Sequence, residues 1–273
     1  MSKPVAIVTG ACSGMGLALT KDLISKSWKV AMADVSAEEG GRISAELGED
    51  TLFVRTDISI YTEQAALFRR AFSWGGNRVD FFAANAGIAD LGNLYAPEID
   101  VDENGDPKPL NMKAMNVDLD AVFQGIWLFR YYHRKNVKSV GKVVITSSMG
   151  GLYTARVNPQ YLAAKAGTIA LGRSAGLTMK ETDNISVNVI CPGFVVTGLC
   201  PPHILKKFPE EHITPMSTVL KAFDTFLSDD KLSGKTVEVS RDQLYYREQV
   251  PYADESMRWL CEETSKIWAE GYE

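Results

Sequence analysis

The sequence has few of the patterns that mark secreted, membrane or metal-binding proteins. Its four cysteines form no Cys-x-x-Cys pair and no Cys/His cluster, so we expect free thiols and a cytoplasmic location. No run of about 18 apolar residues is present, which argues against a membrane span. We also expect no signal peptide, because the first four residues run directly into a predicted strand.

An excess of positive charge is absent too. The chain has 29 Lys and Arg against 34 Asp and Glu, a net charge of −5, which argues against nucleic acids and acidic membrane surfaces as partners. The segment Asp100-x-Asp102-x-Asn104-Gly105 resembles the start of a calcium-binding loop. Because Asn111 occupies the position that requires a bidentate Glu, we predict a surface loop and no metal site.

Short apolar runs alternate with helical segments through most of the chain. Strands are predicted at residues 5–8, 29–34, 51–57, 79–84, 141–147, 185–191 and 236–240. Such repetition produces a parallel sheet with helices on both faces. We therefore predict an α/β fold, a doubly wound (Rossmann) parallel sheet of about seven strands, forming a single domain over residues 1–273. Residues 194–230, which carry Pro201, Pro202, Pro209 and Pro215, are expected to form irregular and helical pieces of one loop, and residues 241–273 a C-terminal tail.

A glycine-rich turn follows the first predicted strand. Its spacing is Gly10-x-x-x-Gly14-x-Gly16, and it leads directly into a predicted helix. Glycines allow a tight turn and a close approach of backbone to a ligand, and a helix start offers unpaired N–H groups to an anion. The turn therefore indicates a pyrophosphate site. An ordinary strand-to-helix turn is the alternative if the loop is considered alone.

An acidic residue, Asp34, ends the second predicted strand, 18 residues after Gly16. A carboxylate there accepts hydrogen bonds from the hydroxyls of an adenosine ribose and repels a 2′-phosphate. No Lys or Arg stands at Cys12, Ser13 or Val35 to compensate. If a dinucleotide binds, NAD is favoured over NADP. A turn residue at a strand end is the alternative interpretation of Asp34.

A possible proton-transfer group lies in the second half of the chain. Tyr161 and Lys165 are four residues apart, so a helix places their side chains on one face. A phenol ordinarily has a pKa near 10, and a nearby ammonium favours the phenolate. Tyr161 would then exchange a proton with a substrate oxygen that Ser148 holds by a hydrogen bond. Taken alone, such a Tyr/Lys pair is more often an ordinary surface helix face.

Together these elements resemble the short-chain dehydrogenase/reductase family, over nearly the whole chain to about residue 240. The matching elements, in family order, are Thr9-Gly10-x-x-x-Gly14-x-Gly16, Asp57, Asn85-Ala86-Gly87, Asn116, Ser148, Tyr161-x-x-x-Lys165 and Pro192-Gly193-x-x-x-Thr197. The family pattern places the serine 13 residues before the tyrosine, which selects Ser148 over Ser147. The chain is closest in type to NAD-linked 15-hydroxyprostaglandin dehydrogenases and fungal secondary-metabolite alcohol dehydrogenases.

The resemblance implies a role for each matching residue. Tyr161 would be the general base or acid, Ser148 would orient the substrate oxygen, and Lys165 would lower the proton affinity of Tyr161 and bind ribose. Asn116 would position a water that leads to Lys165. The residues implied to bind the cofactor are Gly10, Ser13, Gly14, Met15, Gly16, Asp34, Asp57, Ile58, Asn85, Ala86, Gly87, Tyr161, Lys165, Pro192, Gly193, Val195 and Thr197.

The predicted function is an NAD-dependent oxidoreductase that interconverts a secondary alcohol and a ketone on a fairly apolar small molecule, such as a secondary metabolite. The apolar character is inferred from Met149, Leu152, Tyr153, Phe194, Leu199 and Phe208. The family also implies a homodimer or homotetramer through the helices around 112–136 and 159–180. Two alternatives stay open, a non-redox cyclase and a cofactor-sensing binding protein. The second would bind cofactor without turning over any alcohol or ketone.

Overall fold

One sheet of eight strands runs through the residues that the computed structural model describes, 2–136, 140–200, 202–264 and 267–268. The strands are β1 (Val5–Thr9), β2 (Lys29–Asp34), β3 (Thr51–Arg55), β4 (Phe81–Ala84), β5 (Gly141–Thr146), β6 (Ile185–Pro192), β7 (Thr236–Ser240) and β8 (Gln243–Tyr246). Their order is β3-β2-β1-β4-β5-β6-β7-β8. The strand order reverses between β1 and β4, and ligands bind at such a point in sheets of this kind.

The first seven strands pair in parallel, and β8 pairs antiparallel with β7. The prediction of a doubly wound parallel sheet is confirmed, with one strand beyond the seven predicted. β8 lies within the predicted C-terminal tail. It is an edge strand with three of its four residues exposed, so it lacks the apolar run that marks an inner strand in the sequence.

Helices cover both faces of the sheet. They are α1 (Gly14–Ser25), α2 (Ala37–Leu47), α3 (Tyr61–Trp74), α4 (Lys113–Met115), α5 (Ala121–His133), α6 (Pro159–Asp183), α7 (Pro202–Leu205), α8 (Met216–Ser228) and α9 (Glu255–Glu262). One turn of π-helix, Asn116–Asp120, joins α4 to α5. This turn interrupts the continuous helix predicted from 112 to 136. No helix in the described ranges is both long enough and apolar enough to cross a membrane.

Two apolar cores hold the helices to the sheet. Alternate residues of a strand point to opposite faces. Ile7 and Phe82 enter the core beneath α3, α5 and α6, whereas Val8 and Phe81 enter the core beneath α1 and α8. The sheet is therefore buried on both faces, which is why its central strands are nearly continuous apolar runs.

The described residues of the segment 194–230 combine irregular stretches with the helices α7 and α8. The four prolines of this segment all precede α8, a helix of 13 residues. Val219, Ala222, Phe223 and Phe226 lie on one face of α8 and are buried in the core beneath it. The irregular part lies mostly before Met216, where α7 and a short 3-10 turn at Glu210–His212 interrupt it.

Candidate active site

A cleft runs along the carboxyl edge of the sheet, and three adjoining chambers form it. The first chamber lies at the ends of β2 and β3 and is lined by Asp34, Asp57 and Ile58, among others. The central chamber lies between the glycine-rich turn and the start of α6. The apolar chamber, with a volume of about 450 Å³, lies beyond β5 and β6. Gly10 lines the first two chambers and Tyr161 the last two, so the cleft is continuous.

The glycine-rich turn between β1 and α1 has no room for a side chain at Gly10 or Gly16. Gly10 has a φ of 65°, and a Cβ there would lie 3.0 Å from the Cα of Ala86. A Cβ on Gly16 would lie 2.1 Å from the carbonyl oxygen of Gly10. Ser13, at the N-cap of α1, makes no side-chain capping bond, so the first N–H groups of the helix lack that partner beside the central chamber. This is the geometry of an anion site.

Asp34 is fixed at the wall of the first chamber. Its Oδ2 accepts a hydrogen bond of 3.0 Å from the Cys12 amide, and its Oδ1 accepts one of 3.2 Å from the Ser36 amide. Each oxygen keeps a further lone pair for a ligand. Burial and the neighbouring Asp34 raise the pKa of the Cys12 thiol to about 12, so Cys12 is a packing residue and not a nucleophile.

Asp57 and Ile58 form the far wall of the first chamber. Hydrogen bonds from Ser59 hold the pKa of Asp57 below its ordinary value against the opposing effect of burial, and Lys113 contributes at 3.5 Å. Lys113 lines the same chamber, and the sequence analysis missed it. Lys113 lies just before the turn of π-helix at Asn116–Asp120 and is 56 residues from Asp57 in sequence. No local sequence pattern therefore reveals the contact.

The side chain of Asn85, which follows β4, forms hydrogen bonds to the ends of β1 and β5 beneath the central chamber. Its Nδ2 donates to the carbonyl of Thr9 at 3.0 Å, and its Oδ1 accepts from the hydroxyl of Thr146 at 3.3 Å. The side chain is therefore engaged within the protein. Its effect is to place the backbone of Ala86 and Gly87 in the chamber wall, where both line the cleft.

Ser148, Tyr161 and Lys165 meet where the central and apolar chambers join. The Nζ of Lys165 lies 5.4 Å from the centre of the Tyr161 ring and donates to the carbonyl of Thr146 at 3.1 Å. The hydroxyl of Ser147 donates to the carbonyl of Lys165 at 2.7 Å and is committed to the fold. The hydroxyl of Ser148 accepts from the Gly150 amide at 3.0 Å and keeps its hydrogen to donate. This geometry supports the choice of Ser148 over Ser147.

The first turn of α6, which carries Tyr161, is held by a residue that the sequence analysis missed. The carboxylate of Asp90 accepts hydrogen bonds from the amides of Gln160 at 3.0 Å and Tyr161 at 2.7 Å. Asn158, the residue before α6, makes no side-chain capping bond. Asp90 therefore caps α6 from the loop that follows β4, and a cap supplied from about 70 residues away leaves no local signature.

The side chain that contacts Lys165 is that of Asp118, whereas the sequence predicts that Asn116 positions a water leading to Lys165. Asn116 is exposed, whereas Asp118 is fully buried and its Oδ2 lies 3.1 Å from the Nζ of Lys165. Residues two apart in a helix point to nearly opposite sides, so only one of the two can face α6. A signal was present in the sequence, because Asp118 occupies the same stripe as the buried Ala114, Ala121 and Val122.

The segment after β6 contributes seven of the residues that line the apolar chamber. Phe194 and Phe208 stack with their ring centres 3.8 Å apart. Its other lining residues include Met149, Pro192, Gly193, Val195, Thr197 and Leu199. Of the side chains predicted to face the substrate, Leu152 instead packs against the core, and the hydroxyl of Tyr153 donates to Glu238 at 2.8 Å.

Several known proteins are similar to this chain in sequence. Residues 4–203 match the model of the short chain dehydrogenase family. The chain is 34% identical over 255 residues to short-chain dehydrogenase/reductase prx6 of Penicillium rubens, covering 89% of this chain and 85% of that protein. It is 31% identical over 202 residues to 15-hydroxyprostaglandin dehydrogenase (NAD(+)) of Homo sapiens, covering 71% and 69%.

The fold is also seen in a solved structure. The crystal structure of 3-ketoacyl-(acyl-carrier-protein) reductase from Brucella melitensis complexed with NADH matches with a TM-score of 0.72. The match covers 88% of this chain and 98% of that chain at 21% sequence identity. At that identity the likeness shows the common fold and carries no statement about the reaction.

Proposed function

The chain belongs to the short-chain dehydrogenase family, and from this we propose that it is an NAD-dependent oxidoreductase interconverting a secondary alcohol and a ketone. The observation that carries the proposal is the position of Ser148, Tyr161 and Lys165. They lie where a cleft shaped for a dinucleotide opens into an apolar chamber. A fungal short-chain dehydrogenase/reductase and a hydroxyprostaglandin dehydrogenase are among the similar proteins, which supports this proposal.

The cleft fits NAD in shape and in charge. The glycine-rich turn brings backbone against the site of a pyrophosphate, and the start of α1 favours its negative charge. Asp34 would accept hydrogen bonds from both ribose hydroxyls and repel a 2′-phosphate. The relative from Homo sapiens carries NAD(+) in its name, which supports the same choice. Asp57, Ile58, Asn85, Ala86, Gly87, Pro192, Gly193, Val195 and Thr197 would complete the binding surface.

The side chains divide the chemistry between them. A bound oxidised nicotinamide supplies the acceptor for a hydride from the carbinol carbon. Ser148 donates a hydrogen bond to the substrate oxygen and fixes its place. Tyr161 takes the hydroxyl proton during oxidation and returns it during reduction. Lys165, held by the carbonyl of Thr146, stabilises the phenolate that proton uptake requires.

The substrate chamber favours a neutral, apolar molecule. Among the described residues that line it, none carries a charged side chain, and the stacked Phe194 and Phe208 offer a flat apolar wall. A charged substrate group would lose its hydration there without gaining a partner. We therefore propose an apolar alcohol or ketone as the substrate, with a fungal-type secondary metabolite as its class.

A binding titration followed by a turnover assay tests this function. NADH and NADPH are titrated separately into the protein, with tryptophan quenching and energy transfer to the reduced cofactor as the signal. We expect NADH to bind more tightly, and NAD reduction with an apolar secondary alcohol to be lost in Tyr161→Phe. Tighter NADPH binding would contradict the NAD assignment. Cofactor binding without turnover of any alcohol or ketone would favour the cofactor-sensing alternative.

Assembly and location belong to the same proposal. Phe123, Trp127 and Tyr131 form an exposed apolar stripe on α5 at a spacing of four residues. This stripe supports the homodimer or homotetramer implied by the family. The cytoplasmic location stays a prediction from the cysteine pattern. A non-redox cyclase would not need Tyr161. The presence of Ser148, Tyr161 and Lys165 together therefore favours the oxidoreductase over the cyclase.

A further inference from the structure

A buried ion pair lies behind the proton-transfer group. The side chain of Asp118 is 0% exposed and that of Lys165 is 4% exposed, with 3.1 Å between Oδ2 and Nζ. The other oxygen of Asp118 accepts a hydrogen bond of 2.9 Å from the amide of Ile88. Asp118 itself lies in the π-turn, a distortion that is frequent at functional sites.

Nothing separates the pair from the loop that lines the cleft. A Cβ on Gly87 would lie 3.0 Å from Nζ of Lys165 and 3.1 Å from Oδ2 of Asp118. A larger residue at this position would therefore crowd the ion pair. The titratable groups that face Asp118 in the described part of the chain are Lys165 with Tyr161 beyond it on α6, and Asp90 in the loop after β4.

The surroundings of Asp118 do not satisfy its charge fully. Burial raises the pKa of Asp118, the Lys165 ammonium and the Ile88 amide oppose that rise, and Asp90 adds to it. The 3.1 Å contact is an ion pair without hydrogen-bond alignment, because Oδ2 has no hydrogen-bond partner among the described residues. A carboxylate held in this way is costly unless the positive charge beside it remains.

We propose that Asp118 is a positioning residue for proton transfer, and that its carboxylate holds Lys165 in place and balances the lysine charge near Tyr161. The inference rests on the proposed function of Ser148, Tyr161 and Lys165. Lys165 alone would favour the phenolate of Tyr161. The Lys165–Asp118 pair has almost no net charge, so it favours the phenolate less. Asp118 therefore sets the pH at which the enzyme takes up the substrate proton.

The test removes the charge and keeps the shape. Asp118→Asn retains an acceptor for the Ile88 amide, and Asp118→Ser removes the same charge in a smaller side chain if the first variant does not fold. We expect either variant to move the acid limb of the pH profile of alcohol oxidation to lower pH by about half to one unit. Asp118→Glu, which keeps the charge, should leave that limb in place while lowering kcat.

A second readout needs no substrate. Phenolate absorbance is titrated in each protein, and the titration of its own Tyr161→Phe counterpart is subtracted. The midpoint of this difference should move down with Asp118→Asn as the pH profile does. If the parental protein turns over no alcohol or ketone, the proposed function fails, and the absorbance titration still decides the role of Asp118.

Asp80→Asn is the matched control. Like Asp118, Asp80 is buried and paired with a cation, which is Arg78 in this case. Asp80 precedes β4 and lies at the opposite edge of the sheet. Its loss should lower stability and leave both midpoints unchanged. Unchanged midpoints in Asp118→Asn, with only a loss of stability, would reduce Asp118 to a structural residue. A movement to higher pH would overturn the proposed charge balance.

Discussion

The two ends of α6 use the same kind of contact for different purposes. Near its start, Lys165 pairs with Asp118 of the π-turn, and at its end Asp183 pairs with Arg130 and Arg134 of the α5 region. Both carboxylate side chains are almost fully buried, at 0% and 1% exposure. Burial raises the pKa of Asp118, but hydrogen bonds from Thr182, Arg134 and Arg130 overcome burial and hold the pKa of Asp183 low.

The difference lies in how completely each carboxylate is satisfied. Asp183 has three donors, and its two arginines are partly exposed, so they keep much of their hydration. Asp118 has one cation and one amide, both inside the protein. An ion pair whose hydrogen bonds are all made stabilises the structure. An ion pair with unmade hydrogen bonds acts electrostatically on neighbouring groups, and this can influence a reaction. We therefore expect changes at the start of α6 to alter function and changes at its end to alter stability.

The largest expected effect is on turnover in Tyr161→Phe. This variant removes the proton-exchanging hydroxyl and leaves the ring, so we expect kcat to fall by about 10²–10⁴-fold. NADH affinity and the unfolding temperature should stay unchanged. Steady-state kinetics with NAD, a fluorescence titration and thermal unfolding measure the three quantities.

Tyr153→Phe is the control for that variant. Tyr153 lies near the same site, but its hydroxyl donates to Glu238 and lines none of the three chambers among the described residues. Its loss should leave kcat nearly unchanged. Equal losses in the two variants would remove Tyr161 from the mechanism, and the functional end of α6 would no longer differ from its structural end.

Much of this arrangement could be predicted from the sequence because its causes are local. Buried parallel strands require continuous apolar runs, and the turn at Gly10 and Gly16 excludes any side chain. The spacing of Tyr161 and Lys165 fixes their common face. The carboxyl edge of a parallel sheet then collects Asp34 and Asp57 from separate strands.

The residues that were missed depend on contacts between distant segments. Asp90 reaches the start of α6 from the loop after β4, and Asp118 faces Lys165 only because of its phase within the π-turn. The apolar periodicity around Asp118 is a local signal of its burial that was not used, because Asn116 matches the family pattern. β8 was missed because an edge strand exposes most of its residues.

Asp34→Ala extends the comparison to a carboxylate that binds a ligand. Losing charge-assisted hydrogen bonds to the ribose should weaken NADH binding by about 10–100-fold. NADPH binding should not weaken, because the repulsion of its 2′-phosphate is relieved. Parallel fluorescence titrations with both cofactors measure the change in preference.

Asp50→Ala is the matched control for Asp34. Asp50 precedes β3 at the opposite edge of the sheet, where it pairs with Lys3 at 2.5 Å. The control should bind both cofactors as the parental protein does. An unchanged preference for NADH in Asp34→Ala would contradict the ribose assignment.

A smaller effect, confined to stability, is expected from Asp183→Asn. Replacing the carboxylate weakens its bonds to Arg130 and Arg134, which should lower the free energy of unfolding by about 1–3 kcal/mol at neutral pH. Urea unfolding measures this change, and kcat should stay the same. Asp224→Asn, at an exposed pair with Lys26, should cost only about 0–1 kcal/mol. A loss of kcat in Asp183→Asn would break the distinction between the two ends of α6.

The finest test of that distinction is the pH dependence of the two carboxylates. The folded-state pKa of Asp183 is lowered, so its contribution is present above the ordinary aspartate pKa of about 3.9 and is lost as pH falls through the folded value. The advantage of the parental protein over Asp183→Asn should therefore shrink in acid. The folded-state pKa of Asp118 is raised, so the parental protein should lose stability relative to Asp118→Asn as pH rises above about 4. Urea unfolding between about pH 3 and pH 7 gives both trends, and trends of the same sign would show that the two ends of α6 are electrostatically alike.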